Sequence, residues 1–288
     1  MTGFSDEEKL MLYGAYGGTP LYLQQINEKE SFEGNIKRTY LKVTSYLYEE
    51  ALLLLRQEVQ EPGVYSAIIE AIASGYTKAN EISTKIGEDS AKCLKYIKTL
   101  CELGILHKET PFGEKESSRK TIYGILDFMF RFWYRYVFAN RTLIETGAQQ
   151  AVWERRIKPD YYSYMGLVFE KVCMDYLNAK NAKGELPILY TSIGRWWGTN
   201  AATHGQEEID LIANDGKDYL FGECKWRNEK LDISVLKDLK AKADVFSMNR
   251  KNSYYVLFSK SGFTEVVLNE ARADDSILLV DLAELMKF

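Results

Sequence analysis

Two acidic residues and a lysine lie on neighbouring segments in the C-terminal half of the sequence. Asp210 ends the run Glu208-Ile209-Asp210, and Glu223 and Lys225 flank Cys224 further along. Both segments are largely apolar and are separated by turn residues at 214–216, a pattern that predicts a β-hairpin. If the loop is 215–218, Asp210 lies opposite Glu223 and shares a face with Lys225. A slip of one residue would turn Asp210 to the other face, so the predicted convergence depends on this register.

Two carboxylates and an ammonium group at one place are suited to phosphodiester hydrolysis with a divalent metal. Carboxylates can hold Mg²⁺ or Mn²⁺ while leaving positions for water and a phosphate oxygen. We predict Asp210 and Glu223 as metal ligands, with the backbone carbonyl of Cys224 as a further ligand. Lys225 would orient or help deprotonate the attacking water and stabilise developing charge. Glu170, which flanks an apolar helical stripe upstream, is the predicted third acid.

An α/β domain over residues 159–288 must position these side chains. The pattern predicts the order helix, three strands, helix, strand, helix, strand and short helix, with a mixed sheet. The predicted segments are a helix at 162–178, strands at 188–193, 208–213 and 219–226, a helix at 233–248, a strand at 254–259, a helix at 264–271 and a strand at 277–281. Lys237 and Lys240 on the second of these helices would face either nucleic acid or solvent.

A smaller module is predicted over residues 61–125. Short helices at 65–73, 78–86 and 90–103 precede two strand-like segments at 105–110 and 120–125, an order typical of a winged helix-turn-helix. The third helix carries basic residues that are predicted to contact DNA phosphates: Lys92, Lys95 and Lys98. Leu94, Ile97 and Cys101 would form its packed face. The alternatives are a solvated lysine face or a protein-interaction module.

The rest of the chain is predicted to be helical. Residues 1–60 form a small helical region, and residues 126–145 form one strongly aromatic helix within a bridging segment at 126–158. The rings of this helix are predicted to be core, with base stacking as the alternative.

The acidic pattern carries a family resemblance over residues 160–288. Asp210, then Glu223-Cys224-Lys225, with Glu170 on a preceding helix, resembles the PD-(D/E)XK nuclease superfamily, whose αβββαβ core has the same element order. Four motifs more narrowly resemble the uncharacterised C-terminal domain of archaeal-type P-loop ATPases: Phe169-Glu170, Ile193-Gly194-Arg195-Trp196-Trp197, Glu208-Ile209-Asp210 and Gly222-Glu223-Cys224-Lys225-Trp226. A winged helix also precedes that domain. Arg195 is expected either to contact a phosphate or to form an ion pair.

A second segment extends the resemblance towards the N-terminus. The run Gly17-Gly18-Thr19-Pro20-Leu21-Tyr22-Leu23 is similar to the helical lid at the end of that family's ATPase domain. The sequence contains no GxxxxGK[ST] motif. We therefore expect no ATPase activity from this chain. It would be either the C-terminal fragment of a longer ATPase or the product of a gene that has lost the part encoding the ATPase domain. An ATPase domain or subunit is an expected partner.

Composition excludes several other classes of protein. The net charge of −4 and the pI near 5.5 do not fit a generally basic nucleic-acid binder, so contact with DNA must be local. Four scattered cysteines and two histidines show no zinc or disulfide spacing. No apolar run is long enough to span a membrane, and the first eight residues do not resemble a signal peptide. These features predict a cytoplasmic protein.

The sequence thus predicts a metal-dependent DNA endonuclease-like module with winged-helix DNA binding. The alternative is a catalytically idle DNA-binding or regulatory adaptor of a P-loop ATPase, and a third interpretation is a protein-interaction scaffold. Metal binding distinguishes the first two, since only the nuclease requires it. A homodimer is a further expectation, because many nucleases of this type cut as dimers.

Overall fold

The computed structural model describes residues 3–200, 203–246 and 250–288. The chain divides into two compact units. The first unit comprises Met1–Glu109 and Arg119–Ser163, and the second comprises Thr110–Ser118 and Tyr164–Phe288. Each unit is described by itself.

The first unit is built mainly of short helices. They are α1 (Asp6–Tyr16), α2 (Pro20–Leu23), α3 (Phe32–Thr39), α4 (Tyr46–Glu58), α5 (Pro62–Ala73), α6 (Ala79–Ile86), α7 (Ser90–Glu102), α8 (Phe128–Phe132), α9 (Arg141–Glu145) and α10 (Gln149–Val152). The start of α1 is fixed by a capping box, in which Ser5 and Glu8 each accept a backbone N–H of the other. Asp89 caps α7 by accepting from the backbone of Ala91 and Lys92.

Three of these helices are followed by a small antiparallel sheet. Strands β1 (Leu106–Glu109) and β2 (Ile122–Ile125) come after α5, α6 and α7, and Leu106 pairs with Ile125. The helices agree with the predicted segments to within a few residues at each end. Both strands are shorter than predicted, and residues 110–118 between them belong to the second unit.

The buried face of α7 differs from the predicted one. Cys93, Tyr96, Ile97 and Leu100 are buried, whereas Leu94 is 43% exposed. The ring of Tyr96 packs edge-on against the ring of Tyr65, with centroids 4.7 Å apart. Because an aromatic ring buries more apolar area than a leucine, α7 turns to cover Tyr96 and leaves Leu94 on the surface. The predicted packed face, which included Leu94, is therefore wrong. The buried face of α7 is displaced from it by about one residue.

The aromatic segment forms several short helical pieces rather than one helix. A π-helical turn at Trp133–Val137 and a 3-10 turn at Phe138–Asn140 separate α8 from α9. Six of its rings are buried, those of Phe128, Phe130, Phe132, Trp133, Tyr134 and Tyr136. The Nε1–H of Trp133 donates to the carbonyl of Tyr48 at 2.7 Å. These rings are therefore core, as predicted, and are not available to stack on bases.

The second unit is built on a five-stranded mixed sheet. Its strands are β3 (Ser192–Thr199), β4 (Gln206–Asn214), β5 (Tyr219–Lys225), β6 (Ser253–Ser259) and β7 (Ile277–Asp281), in that spatial order. Its helices are α11 (Lys158–Ala182), which belongs to this unit from Tyr164 onward, α12 (Ile233–Val245), α13 (Glu265–Ala273) and α14 (Leu282–Leu285). The pairs β3–β4 and β4–β5 are antiparallel, and β5, β6 and β7 are parallel. The predicted mixed α/β fold is confirmed at this level.

Two predicted boundaries in this unit need comment. The first strand was expected at 188–193 but begins at Ser192, because the side chain of Asn181 bonds both backbone polar groups of Tyr190 at 3.0 Å. These bonds take the place of a strand ladder at Tyr190. The helix expected to end at Met248 is α12, which ends at Val245, and Met248 lies outside the described residues.

The core of the second unit lies between the sheet and α12. It joins apolar residues of β4 and β5, among them Ile209, Ile212 and Phe221, to one face of α12 and to Phe246. Phe112 of segment 110–118 packs against Phe246, and its N–H donates to the carbonyl of Arg195 at 2.8 Å. The sequence analysis predicted no apolar contact between the strand-like segments at 105–110 and 120–125, so this apolar anchor was missed.

In the part of the chain that the structure describes, no helix has both the length and the apolar character needed to cross a membrane.

Candidate functional site

The β4–β5 hairpin has the predicted register. Leu211 pairs with Gly222 and Asn214 pairs with Tyr219, which leaves residues 215–218 as the loop. Continuing this register by one residue places Asp210 opposite Glu223. The loop is held by Asp215, whose Oδ1 accepts from two backbone N–H groups at 2.9 Å.

A β-bulge in β4 aims Asp210 towards β5. Gly194 of β3 pairs with Ile212, but Trp196 pairs with Ile209, so one residue of β3 lies opposite two residues of β4. A bulge of this kind lets Ile209 and Ile212 both enter the core and changes the direction of the residues between them. The Oδ2 of Asp210 accepts the backbone N–H of Cys224 at 2.8 Å. The bulge and this bond fix the carboxylate beside β5.

Acids and lysines then meet at one place in the second unit. The acid–lysine cluster consists of Glu170, Asp210, Glu223, Lys225 and Lys242. Lys225 bonds Glu223, and its Nζ is 3.6 Å from Oδ2 of Asp210. Lys242 of α12 donates to Oε1 and Oε2 of Glu223 at 3.2 and 3.3 Å. Asp210 is 9% exposed and Glu223 is 4% exposed, so these charges interact with little screening by solvent.

The acids of the cluster disfavour one another's charged forms. Burial, followed by the nearby Asp210 carboxylate, raises the pKa of Glu170 to about 8. Burial, followed by the Glu223 carboxylate, raises the pKa of Asp210 to about 6, although Lys225 opposes this shift. Glu170 is therefore predominantly protonated at neutral pH, whereas Asp210 is predominantly ionised.

Lys225 is a cation in this arrangement. Burial lowers its pKa, but the carboxylates of Asp210 and Glu223 outweigh burial and raise the pKa of Lys225 above its ordinary value. An ammonium group can orient a water molecule and offset negative charge, but it cannot accept a proton. Of the two roles predicted for Lys225, orientation and charge stabilisation fit this geometry better than deprotonation.

The thiol of Cys224 is not a suitable ligand. Cys224 is buried beside Cys173, and burial raises the pKa of both thiols. A thiol binds metal as the thiolate, which a raised pKa disfavours. The prediction concerned the backbone carbonyl of Cys224, and that role stays a prediction.

The donor set of the cluster fits a hard divalent cation. Among the described residues, no three or more His, Cys, Asp or Glu side chains are grouped so as to hold a metal ion. Mg²⁺ does not require such a group, since it is commonly held by one or two carboxylates together with waters and substrate phosphates. Asp210 and Glu223 supply two carboxylates on adjacent strands, and their repulsion is of the kind that a cation relieves.

Lys242 is the cluster member that the sequence did not reveal. Lys237 and Lys240 were named on the same helix, but Lys240 is 3.5 Å from Asp274 and lies over the ring of Tyr255. The buried stripe of α12 contains Leu239, and lysines lie on both of its flanks. The right-handed rule for connections between parallel strands could have indicated which flank faces the carboxylates.

Arg195 forms the ion pair that was one of its two expected roles. Its guanidinium is 3.0 Å from Glu208 and lies over the ring of Trp197 at 5.1 Å from the ring centroid. Its side chain is 18% exposed. Contact with a phosphate would have to compete with this ion pair, and stays a prediction.

The lysines of α7 lie on its exposed face in the first unit. Lys92 is 3.4 Å from Glu88, and Lys98 is 3.7 Å from Glu102. No acidic partner is described for Lys95 within the residues that the structure covers. Lys95 is thus the member of the predicted DNA-binding set that is best placed to meet a phosphate.

The second unit is a mixed α/β fold in which carboxylates and lysines from the sheet and from helices α11 and α12 form one cluster. Residues 133–242 match the model of a family described as archaeal and bacterial proteins of unknown function, DUF234. The chain is 34% identical over 282 residues to the uncharacterized protein MJECL04 of Methanocaldococcus jannaschii, and the alignment covers 96% of the chain. The chain spans 60% of the length of that relative.

Solved structures resemble the chain only distantly. Protein VC1899 from Vibrio cholerae aligns with 84% of this chain and 54% of its own, at 11% identity and a TM-score of 0.30. An O-methyltransferase of neocarzinostatin biosynthesis, NcsB1, aligns with 83% of this chain and 68% of its own, at 11% identity and a TM-score of 0.21.

Proposed function

We propose that the chain is a metal-dependent DNA endonuclease-like module whose second unit hydrolyses phosphodiester bonds. The observation that carries the proposal is the convergence of Asp210, Glu223 and Lys225 on adjacent strands, beside the protonated acid Glu170. The order α11, β3, β4, β5, α12, β6 corresponds to the αβββαβ core of the PD-(D/E)XK superfamily. We assign the second unit to that superfamily on these two grounds.

Each residue of the cluster has its own proposed role in the reaction. Asp210 and Glu223 would hold Mg²⁺ or Mn²⁺, which supplies an activated water molecule and neutralises charge on the phosphate. The Lys225 ammonium would orient the attacking water by a hydrogen bond and offset the charge that develops on the phosphate oxygens. Glu170 carries a proton at neutral pH and would act as the auxiliary acid.

DNA binding is assigned to the three helices and two strands around α7. This order of elements supports a winged helix, whose third helix meets the nucleic acid. Lys92, Lys95 and Lys98 lie on the exposed face of that helix. Contacts of this kind hold the backbone of DNA without selecting its sequence.

One observation favours a second candidate, a catalytically idle DNA-binding or regulatory adaptor of a P-loop ATPase. Both oxygens of Glu223 already accept from lysines, so the carboxylate is satisfied by protein groups alone. The similarity of residues 17–23 to an ATPase lid suggests the ATPase domain or subunit as the partner. An adaptor needs no metal at Asp210 and Glu223, whereas a nuclease does.

Cleavage of supercoiled plasmid and of branched DNA with Mg²⁺ or Mn²⁺ tests the proposal. The variants are Asp210→Ala and Lys225→Ala, with Asp274→Ala as a control because Asp274 pairs with Lys240 outside the cluster. We expect the wild type and the control to cut, and each cluster variant to lose about a hundredfold or more in rate. Equal cutting by all four proteins, or no cutting by the wild type, would remove the catalytic claim and favour the adaptor.

A further inference from the structure

Lys242 holds both carboxylate oxygens of Glu223. Its Nζ is 3.2 Å from Oε1 and 3.3 Å from Oε2, and Lys225 donates to Oε1 as well. The side chain of Glu223 is 6% exposed and that of Lys242 is 23% exposed. The ion pair is therefore partly shielded from water, where charge interactions are stronger than at the surface. Any other cation that binds Glu223 has to compete with Lys242.

The charges at this point of the cluster are balanced. The carboxylates of Asp210 and Glu223 are matched by the ammonium groups of Lys225 and Lys242. A divalent cation entering here adds positive charge next to two ammonium groups, which repels them. The excess positive charge is reduced when an ammonium group withdraws and when an anion, such as a phosphodiester, enters with the metal.

Lys242 is the ammonium group that can withdraw more easily. Lys225 contacts both Asp210 and Glu223, whereas the described acidic partner of Lys242 is Glu223 alone. Lysine carries its charge on a flexible four-carbon stem, so the ammonium group can move without a change in the backbone. The position of Lys242 on α12, rather than on the strands, leaves the carboxylates in place when it moves.

We propose that Lys242 is a displaceable counter-ion, which leaves Glu223 for the scissile phosphate when metal and nucleic acid bind together. The inference rests on the proposed nuclease function and adds a residue that contacts the scissile phosphate. Lys242 then opposes metal binding in the absence of nucleic acid and favours it in the presence of nucleic acid. Metal and DNA become coupled ligands, each of which strengthens the binding of the other.

A Mn²⁺ titration of the full chain without nucleic acid tests the inference, with free Mn²⁺ measured by electron paramagnetic resonance. The variants are Lys242→Met and Lys242→Gln, which remove the charge and keep most of the length of the side chain. Lys240→Met is the matched control, because Lys240 lies on the same helix but pairs with Asp274. We expect both Lys242 variants to bind Mn²⁺ about tenfold more tightly, which corresponds to about 1.4 kcal/mol, and the control to bind as the wild type does.

A gain in affinity is not expected from a role that is merely structural, since loss of packing would weaken the site. If the wild type binds Mn²⁺ and both Lys242 variants bind it equally or more weakly, the inference is wrong and the proposed function stands. Asp210→Ala provides the separate arm for the proposed function. If Mn²⁺ binds neither the wild type nor the Lys242 variants, or binds Asp210→Ala as well as it binds the wild type, the metal site itself is wrong and the inference fails with it.

Discussion

At the scale of residues, the site is defined by where protons and charges lie. Asp210 and Glu223 are buried carboxylates that share one lysine, and Glu170 is an acid with a pKa near 8. Raised pKa values of buried carboxyl groups are common at functional sites, because a reaction that moves protons needs groups whose pKa lies near the working pH. Here the raised pKa values coincide with converging carboxylates and lysines, and the two features together support the proposed nuclease.

The raised pKa of Glu170 makes stability depend on pH. A carboxyl group whose pKa is higher in the folded state than in the unfolded chain stabilises the fold fully below its unfolded pKa, and this stabilisation is lost as the pH rises through the folded value. In EDTA, we expect the free energy of unfolding to fall between about pH 5 and about pH 8, by at most about 1.4 kcal/mol per pH unit for one proton. Glu170→Gln should make this dependence shallower but not remove it, because the pKa of Asp210 is raised as well.

Urea denaturation at several pH values measures this effect. Glu185→Gln is a suitable control, because Lys180 lowers the pKa of Glu185 and its titration therefore lies below this pH range. A slope in Glu170→Gln as steep as in the wild type would show that Glu170 is not the group responsible.

At the scale of elements, two features decide what the site residues can reach. The bulge in β4 allows Asp210 to point at β5 while Ile209 stays in the core, and the position of α12 brings Lys242 to Glu223. In the first unit, the rotation of α7 that buries Tyr96 exposes Leu94. The exposed leucine lies between lysines, so the predicted DNA-binding face offers apolar surface as well as positive charge.

The structure ranks the lysines of α7. For duplex DNA, the logarithm of the binding constant falls linearly as the logarithm of the salt concentration rises. The steepness of this slope is about 0.9 for each phosphate that a protein cation neutralises. We expect Lys95→Ala to weaken binding and to reduce this slope by about one unit. Lys92→Ala and Lys98→Ala should weaken binding less, because in the wild type Lys92 already pairs with Glu88 and Lys98 with Glu102.

Fluorescence anisotropy with a labelled duplex at several salt concentrations provides the measurement. Lys9→Ala, which removes a lysine paired with Asp6 on α1, controls for the loss of one charge. Unchanged binding by Lys95→Ala would favour the protein-interaction interpretation of this module.

At the scale of the whole molecule, the chain consists of two compact units. The proposed metal site lies entirely within the second unit, since Asp210, Glu223 and Cys224 all belong to Tyr164–Phe288. A ligand that binds only the folded state stabilises the unit that holds it. Metal should therefore act on one unit more than on the other.

Calorimetric unfolding in Mn²⁺ and in EDTA tests this expectation. At a metal concentration about a hundred times the Kd, the stabilisation is about 2.7 kcal/mol, which raises the midpoint of the affected transition by several degrees. Asp210→Ala should lose the shift and Asp274→Ala should keep it. A shift of the same size in Asp210→Ala would place the metal elsewhere in the chain.

Much of the second unit could be predicted from sequence because its signals are local. Two largely apolar segments and the turn at 214–216 indicated β4 and β5, and a loop at 215–218 was the register that pairs Asp210 with Glu223. The same local signals were sufficient for the three helices and two strands that contain α7. The acids Asp210 and Glu223 and the lysine Lys225 were therefore within reach of the sequence alone.

The remaining features depend on contacts between residues that are distant in sequence, which no local pattern records. Only the tertiary structure showed that Asn181 satisfies Tyr190, that Phe112 packs in the second unit and that Lys242 reaches Glu223. It also determined the pKa values, since burial and neighbouring charges exist only in the fold. The sequence determined which groups are available and which strands carry them, whereas the packing of α12 against the sheet decided which charges meet.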